Sequence, residues 1–158
     1  MDLFSDDSDP NTRPKVTGSC NCGRHKYTIP KAEKMNLCHC LDCRKWAGAM
    51  HSAHLFVQNA HIDGHGSPEP KTWTTNADSG TKMVRAWCDE CGAGLWLKTD
   101  AKSDMTFLKA GGGVVVNDVG LGLFQPEDIP NPTMENWLKN KQPWESLASG
   151  TKRTSDVN

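Results

Sequence analysis

The chain has 158 residues, with 18 Lys+Arg against 19 Asp+Glu and a formal net charge of -1. That length suits one domain, and the even charge balance gives no electrostatic footprint for nucleic acid or an anionic membrane surface. No apolar run approaches the ~20 residues a bilayer span needs, and the opening MDLFSDDSDPNTRP has neither the basic nor the apolar region of a secretory signal, so the expected location is the cytoplasm.

Residues 1–14 read as a disordered acidic tail, 15–148 as one domain and 149–158 as a polar tail. Val16 to Cys22 and Arg24 to Ile29 read as two strands around a tight turn, and Met35 to Cys40 as a short strand. A short helical turn is expected through Arg44, Lys45 and Trp46. Strands follow at Ala53 to Val57, His61 to Gly64, Lys71 to Thr75, Lys82 to Cys88, Gly94 to Lys98 and Met105 to Ala110. Gly111 to Asn117 reads as a glycine loop running into a β-branched strand, and Thr133 to Lys141, between Pro132 and Pro143, as a second helix. Many short strands separated by turn residues predict a mainly β domain with one or two short helices.

Seven cysteines carry the chemistry. They fall in three clusters: Cys20 and Cys22; Cys38, Cys40 and Cys43; Cys88 and Cys91. An odd count in a reduced compartment points to metal rather than disulfides. On a strand, residues i and i+2 share a face, so Cys20/Cys22 and Cys38/Cys40 can each aim two sulfurs at one point. Cys88 and Cys91 meet around a turn that Gly92 permits.

Four plus three is the natural division: Cys20, Cys22, Cys88 and Cys91 as a closed structural zinc site, and Cys38, Cys40 and Cys43 as a second zinc with an open position. Pairing the middle cluster with Cys88 and Cys91 would idle Cys20 and Cys22; spacing alone does not decide between the two. His39 falls between two ligands and should face away from their metal. His51, His54, His61 and His65 lack metal spacing and read as surface or satisfied side chains. Asp42 and His54 are candidates for a general base by residue type alone.

A zinc held by three thiolates carries a net charge of -1 and suits a fourth sulfur, so the inferred chemistry is on a thiol substrate. Arg44 and Lys45, directly after Cys43, are the candidate contacts for an anionic substrate. Trp46 reads as a packing residue.

Gly18-Ser19-Cys20-Asn21-Cys22-Gly23 with Tyr27, Cys38-His39-Cys40-Leu41-Asp42-Cys43-Arg44-Lys45 and Arg85-Ala86-Trp87-Cys88-Asp89-Glu90-Cys91-Gly92 together resemble the glutathione-dependent formaldehyde-activating enzyme family, whose domain is shared with centromere protein V. The resemblance covers about residues 15 to 145. It implies a β-tent-type fold of antiparallel strands, the same four-plus-three partition of two zinc ions, and a carbon–sulfur lyase that joins glutathione to formaldehyde as S-hydroxymethylglutathione. Two alternatives stay open: a related lyase acting on another small metabolite, and a non-catalytic zinc-binding interaction module.

Overall fold

The computed structural model describes residues 3–4, 6–65, 69–77, 79–112 and 122–154. β1 (Lys15–Ser19) and β2 (Lys26–Pro30) form a hairpin in register from Lys15↔Pro30 to Ser19↔Lys26. β3 (Met35–Cys38) leads into α1 (Leu41–Ala47), which is the single α-helix among the described residues. β4 (Ser52–Gln58), β5 (Asp63–His65), β6 (Lys71–Asn76), β7 (Lys82–Trp87), β8 (Gly94–Thr99) and β9 (Met105–Gly112) follow, and then β10 (Met134–Asn136) and β11 (Lys152–Arg153). The described strands form a three-stranded sheet, β1-β2-β5, and an eight-stranded one, β11-β10-β3-β4-β9-β8-β7-β6. The molecule is mainly β, and no helix among the described residues is long and apolar enough to cross a membrane.

The period of two along the central strands sorts side chains between a core and a cavity. Met35 and Leu37 of β3, Ala53, Leu55 and Val57 of β4, and Leu108 and Ala110 of β9 pack into one buried cluster with Ile29, Leu95 and Phe124. The alternate residues Asn36 and Cys38, His54, and Phe107 line a cavity on the other face, joined there by Met83 and Arg85 of β7. β4 is buried along its length from Ser52 to Val57, so it reads as a continuous apolar run interrupted by His54.

The hairpin meets the Leu123–Phe124 turn closely at Gly18. A Cβ there would lie 2.8 Å from the Leu123 carbonyl oxygen and 2.8 Å from the Phe124 ring. Gly18→Ala is therefore expected to cost about 1–3 kcal/mol by overpacking, read as a lower urea midpoint with an unchanged slope.

Two expectations are corrected. Thr133 to Lys141 is not a helix: Met134, Glu135 and Asn136 are all buried, as a strand parallel to β3 on one side and β11 on the other. An amphipathic helix buries one stripe, whereas three successive buried residues need partners on both faces. Sheet bonds such as Thr133 N–H to the Met35 carbonyl (2.9 Å) and His39 N–H to the Asn136 carbonyl (3.0 Å) satisfy the backbone instead. Trp137 then turns at φ 60°, and Leu138–Asn140 make a 3-10 turn. The sheet is thus not wholly antiparallel.

The stretches read as tails also make contacts. Phe4 stacks edge-on against Phe56 at 5.2 Å between centroids. The Glu33 carboxylate accepts from the Asp7 N–H (3.0 Å) and the Ser8 N–H (3.1 Å), and Arg13 pairs with Asp6. At the other end, the Thr154 N–H donates to the Glu135 carbonyl at 3.0 Å. Short sequence runs without periodicity hide such contacts because their partners are remote. The loop and strand expected from Gly111 to Asn117 lie, beyond Gly112, outside the described residues.

Candidate metal centres

Strand β1 stops at Ser19, so Cys20 and Cys22 sit on a turn rather than on one face of a strand, which corrects the expected geometry. Gly23 N–H closes that turn onto the Cys20 carbonyl at 3.0 Å, with Gly23 at φ 76°. Gly92, at φ 72°, follows Cys91 in the same way, and its N–H donates to the Cys88 carbonyl at 2.9 Å. Nothing would obstruct a Cβ at Gly92, so it is the backbone angle that calls for glycine there.

The two turns bring the sulfurs of Cys20, Cys22, Cys88 and Cys91 within 4.8 Å of one another. Cys20–Cys22 and Cys22–Cys88 are both 3.6 Å apart. A tetrahedral zinc with ~2.3 Å Zn–S bonds has sulfurs about 3.8 Å apart, so the set fits the ion with small adjustment. The His25 N–H donates to Cys20 Sγ at 3.3 Å, the backbone support a zinc thiolate takes from its surroundings. All seven cysteines are free thiols.

Cys38 ends β3, Cys40 caps α1 and Cys43 lies in the first turn of α1; their sulfurs also gather within 4.8 Å. The Cys43 N–H donates to Cys40 Sγ at 3.3 Å. Hydrogen bonds from the Cys38 and Cys43 thiols, with that N–H and the Arg85 charge behind them, hold Cys40 far below the ordinary thiol range, while its bonded neighbours push Cys38 up. The trio stabilises one negative charge and keeps protons on the sulfurs around it, and a cation would displace those protons.

The trio opens into a cavity of about 500 Å³. Among the described residues, Lys45, Lys102, Lys139 and Arg85 contribute cationic groups to its lining, against the carboxylate of Asp42. Arg85 is 5% exposed. Its Nη1 donates to Thr75 Oγ1 at 3.0 Å and Nη2 lies 3.8 Å from Cys43 Sγ, while Nε is buried without a partner. Of the two substrate contacts expected from the sequence, Lys45 reaches the cavity. The Arg44 guanidinium is engaged elsewhere, donating to the Asn140 carbonyl at 2.6 Å and to Met50 Sδ at 3.7 Å. The guanidinium beside the trio is that of Arg85, which lines the cavity. Asp42 lies 4.0 Å from Arg85 Nη1 and stays partly exposed.

Behind the trio runs a buried polar chain that the sequence did not reveal. Lys109 Nζ donates to Ser52 Oγ at 2.5 Å, Ser52 is 2.8 Å from His54 Nε2, and His54 Nδ1 is 3.0 Å from Asn36 Oδ1. Asn36 donates in turn to Asn136 Oδ1 at 2.9 Å. An amide oxygen only accepts, so the His54 proton sits on Nδ1 and Nε2 accepts from Ser52. Trp46 stacks on His54, and the Lys109 ammonium sits 4.4 Å from the Trp46 ring centroid. Burial pushes Lys109 down to about 8. Of the two readings given to His54, surface or satisfied, it takes the second: it is 1% exposed and bonded at both ring nitrogens. A lone lysine between Leu108 and Ala110 in an apolar strand was the readable sign of this chain.

Burial first, and the Lys109 charge second, hold the His54 imidazole well below its ordinary 6.5. Above that pH both folded and unfolded chains carry a neutral ring. As pH falls below 6.5 the unfolded chain takes a proton that the folded one refuses, and stability drops by up to about 1.4 kcal/mol per pH unit. Urea midpoints at about pH 7.5 and 5.5 should fall further for the wild type than for His54→Gln. Equal falls would mean that His54 takes up its proton in the folded state.

The family model for the glutathione-dependent formaldehyde-activating enzyme matches residues 15–140. The chain belongs to this family. All seven cysteines fall within the matched span, so both sulfur clusters are parts of the glutathione-dependent formaldehyde-activating domain. β11 and the segment leading to it lie beyond the match. Among solved structures, the crystal structure of a Rhodobacter sphaeroides protein aligns at 16% identity and TM-score 0.48, over 72% of this chain and 94% of that one. No curated protein matches the chain significantly.

Proposed function

We propose that the chain is a zinc-dependent carbon–sulfur lyase that forms and cleaves the adduct of glutathione and formaldehyde. Cys20, Cys22, Cys88 and Cys91 hold a structural zinc. Cys38, Cys40 and Cys43 hold a second zinc, which when bound supplies a positive centre that keeps an incoming thiol as its thiolate. In the synthetic direction the glutathione sulfur forms a bond to the formaldehyde carbon, the C=O π pair moves to oxygen, and the proton released by the thiol ends on that oxygen.

One observation carries this reading: three convergent sulfurs line a cavity whose charged lining, among the described residues, is mostly cationic. Glutathione brings two carboxylates, and Arg85, which lines the cavity with Nη2 3.8 Å from Cys43 Sγ, lies where it could receive one near the sulfurs. Lys45, Lys102 and Lys139 supply charge elsewhere on the lining.

A second reading within the same reaction class rests on the other part of that wall. Phe4, Leu41, Met83, Leu97, Phe107 and Trp137 give it a broad apolar area, suited to a thiol or aldehyde bulkier than these two. Two-dimensional NMR exchange between free glutathione and its hydroxymethyl adduct tests the proposal. The protein should speed the exchange, and Arg85→Met should raise KM for glutathione about tenfold or more with a smaller effect on kcat. Exchange that the protein leaves unchanged for this pair, but speeds for a bulkier aldehyde, would favour the second reading.

A further inference from the structure

On the far side of the β3 terminus from Cys38 and Cys40 lies a second kind of cluster. His39 follows β3, His51 precedes β4, and Glu145 comes from the segment after the 3-10 turn of Leu138–Asn140. One ligating atom from each lies within 4.8 Å of the others. His39 is 2% and His51 9% exposed, and the Glu145 side chain is 5% exposed. We propose that these three side chains hold a divalent transition-metal ion of the zinc class, separate from any ion held by cysteine.

His39 carries the argument. Its Nε2 lies 3.3 Å from Glu135 Oε2, a carboxylate that is itself buried and fixed by the Ala148 N–H at 2.7 Å. A histidine that ligates a metal typically gives its other N–H to a carboxylate, which sets the tautomer and aims the free nitrogen. Here that free nitrogen is Nδ1. It is buried with no hydrogen-bond partner, and it faces Glu145 Oε1 at 3.6 Å. A nitrogen lone pair facing a carboxylate oxygen is repulsive unless a positive charge lies between them.

The spacing suits an ion. Nitrogen and oxygen ligands ~2.0–2.1 Å from a four-coordinate zinc sit about 3.3–3.4 Å from one another, close to the observed 3.6 Å. The other Glu145 oxygen is engaged by the Gln142 N–H at 2.5 Å, which leaves Oε1 to the cluster. The His51 ring completes the set, its centroid 5.4 Å from that of His39. Charge agrees as well. Glu135 and Glu145 together place two negative charges in a buried site, and a divalent ion balances both, whereas one imidazolium balances one.

Two imidazoles and a carboxylate form a ligand set that zinc accepts readily. Such an ion would tie the segment around Glu145 to the β3–α1 junction and to the start of β4. Trp137, Lys139 and Asn140, which line the cavity, lie in the same stretch of chain as Glu145, so the ion would brace that wall.

Zinc content of the full chain, purified without added metal and compared with Glu145→Gln and His51→Ala, tests the proposal. Each variant should hold one zinc per chain fewer than the wild type. The difference between proteins is the readout, so it stays meaningful even if the cysteine sites load otherwise than proposed above. Imidazole nitrogen NMR of the wild type needs no variant and guards against misfolding of either one. His39 Nδ1 and one His51 nitrogen should show metal-ligated shifts that a chelator abolishes. Equal zinc content in all three proteins, or a His39 ring protonated on both nitrogens in the zinc-loaded wild type, would overturn the site in favour of a proton shared between His39 and the two glutamates.

Discussion

Cys88→Ser is expected to leave the chain largely unfolded. Cys88 is wholly buried and belongs to the main apolar cluster with Leu55, Leu95 and Leu108. Its sulfur lies 3.6 Å from that of Cys22, 66 residues earlier, so the proposed ion closes a long loop and joins the small sheet to the large one. Apparent zinc affinities of structural sites correspond to about 10–16 kcal/mol, against a total stability of about 5–15 kcal/mol for a typical domain. Losing even a fraction of that linkage removes most of the folding free energy. Far-UV circular dichroism and soluble yield should both collapse, and added zinc should not restore them. A folded, soluble Cys88→Ser protein would show that the four sulfurs do not carry the fold.

Cys40→Ser should do the reverse, leaving the fold in place while thiol–aldehyde exchange falls to the uncatalysed rate. Cys40 is partly exposed at the start of α1, outside both apolar clusters, and its three-sulfur group spans only the β3–α1 junction. The loop closed by its metal is short, so the stabilisation it adds is small. The hydroxyl can still accept from the Cys43 N–H as a helix cap, which limits the structural cost to about 1 kcal/mol. The measurement pairs thermal unfolding with the exchange rate. Equal destabilisation of Cys40→Ser and Cys88→Ser would abolish the division of labour between the two clusters.

The cysteine clusters and most strands were legible because their signals are local. Spacing in Cys38-His39-Cys40 and the glycines after Cys22 and Cys91 are properties of a few adjacent residues, and strand periodicity needs only five or six. His39 was read as facing away from the metal of its neighbours on strand alternation, although β3 ends at Cys38 and Cys40 is the helix cap.

What escaped was set by partners remote in sequence. β10 took the form of a strand because β3, about 100 residues earlier, offers carbonyls to it. Arg85 came to the trio instead of Arg44 because β7 and α1 meet across the cavity, whereas Arg44 points towards Asn140. The Lys109–Ser52–His54–Asn36 chain joins three strands whose register no local pattern fixes. His51 and Glu145 find His39 only through the same assembly.

Titration of glutathione into the cobalt-substituted protein tests most directly whether the three-sulfur centre is open to a thiol. Sulfur-to-cobalt charge-transfer absorption should grow and saturate at one equivalent of glutathione, as an eighth thiolate joins the seven of the chain, and Cys40→Ser should abolish that growth. A wild-type spectrum that glutathione leaves unchanged would contradict the account, because the Cys38–Cys40–Cys43 centre would then be closed to the thiol it is proposed to hold.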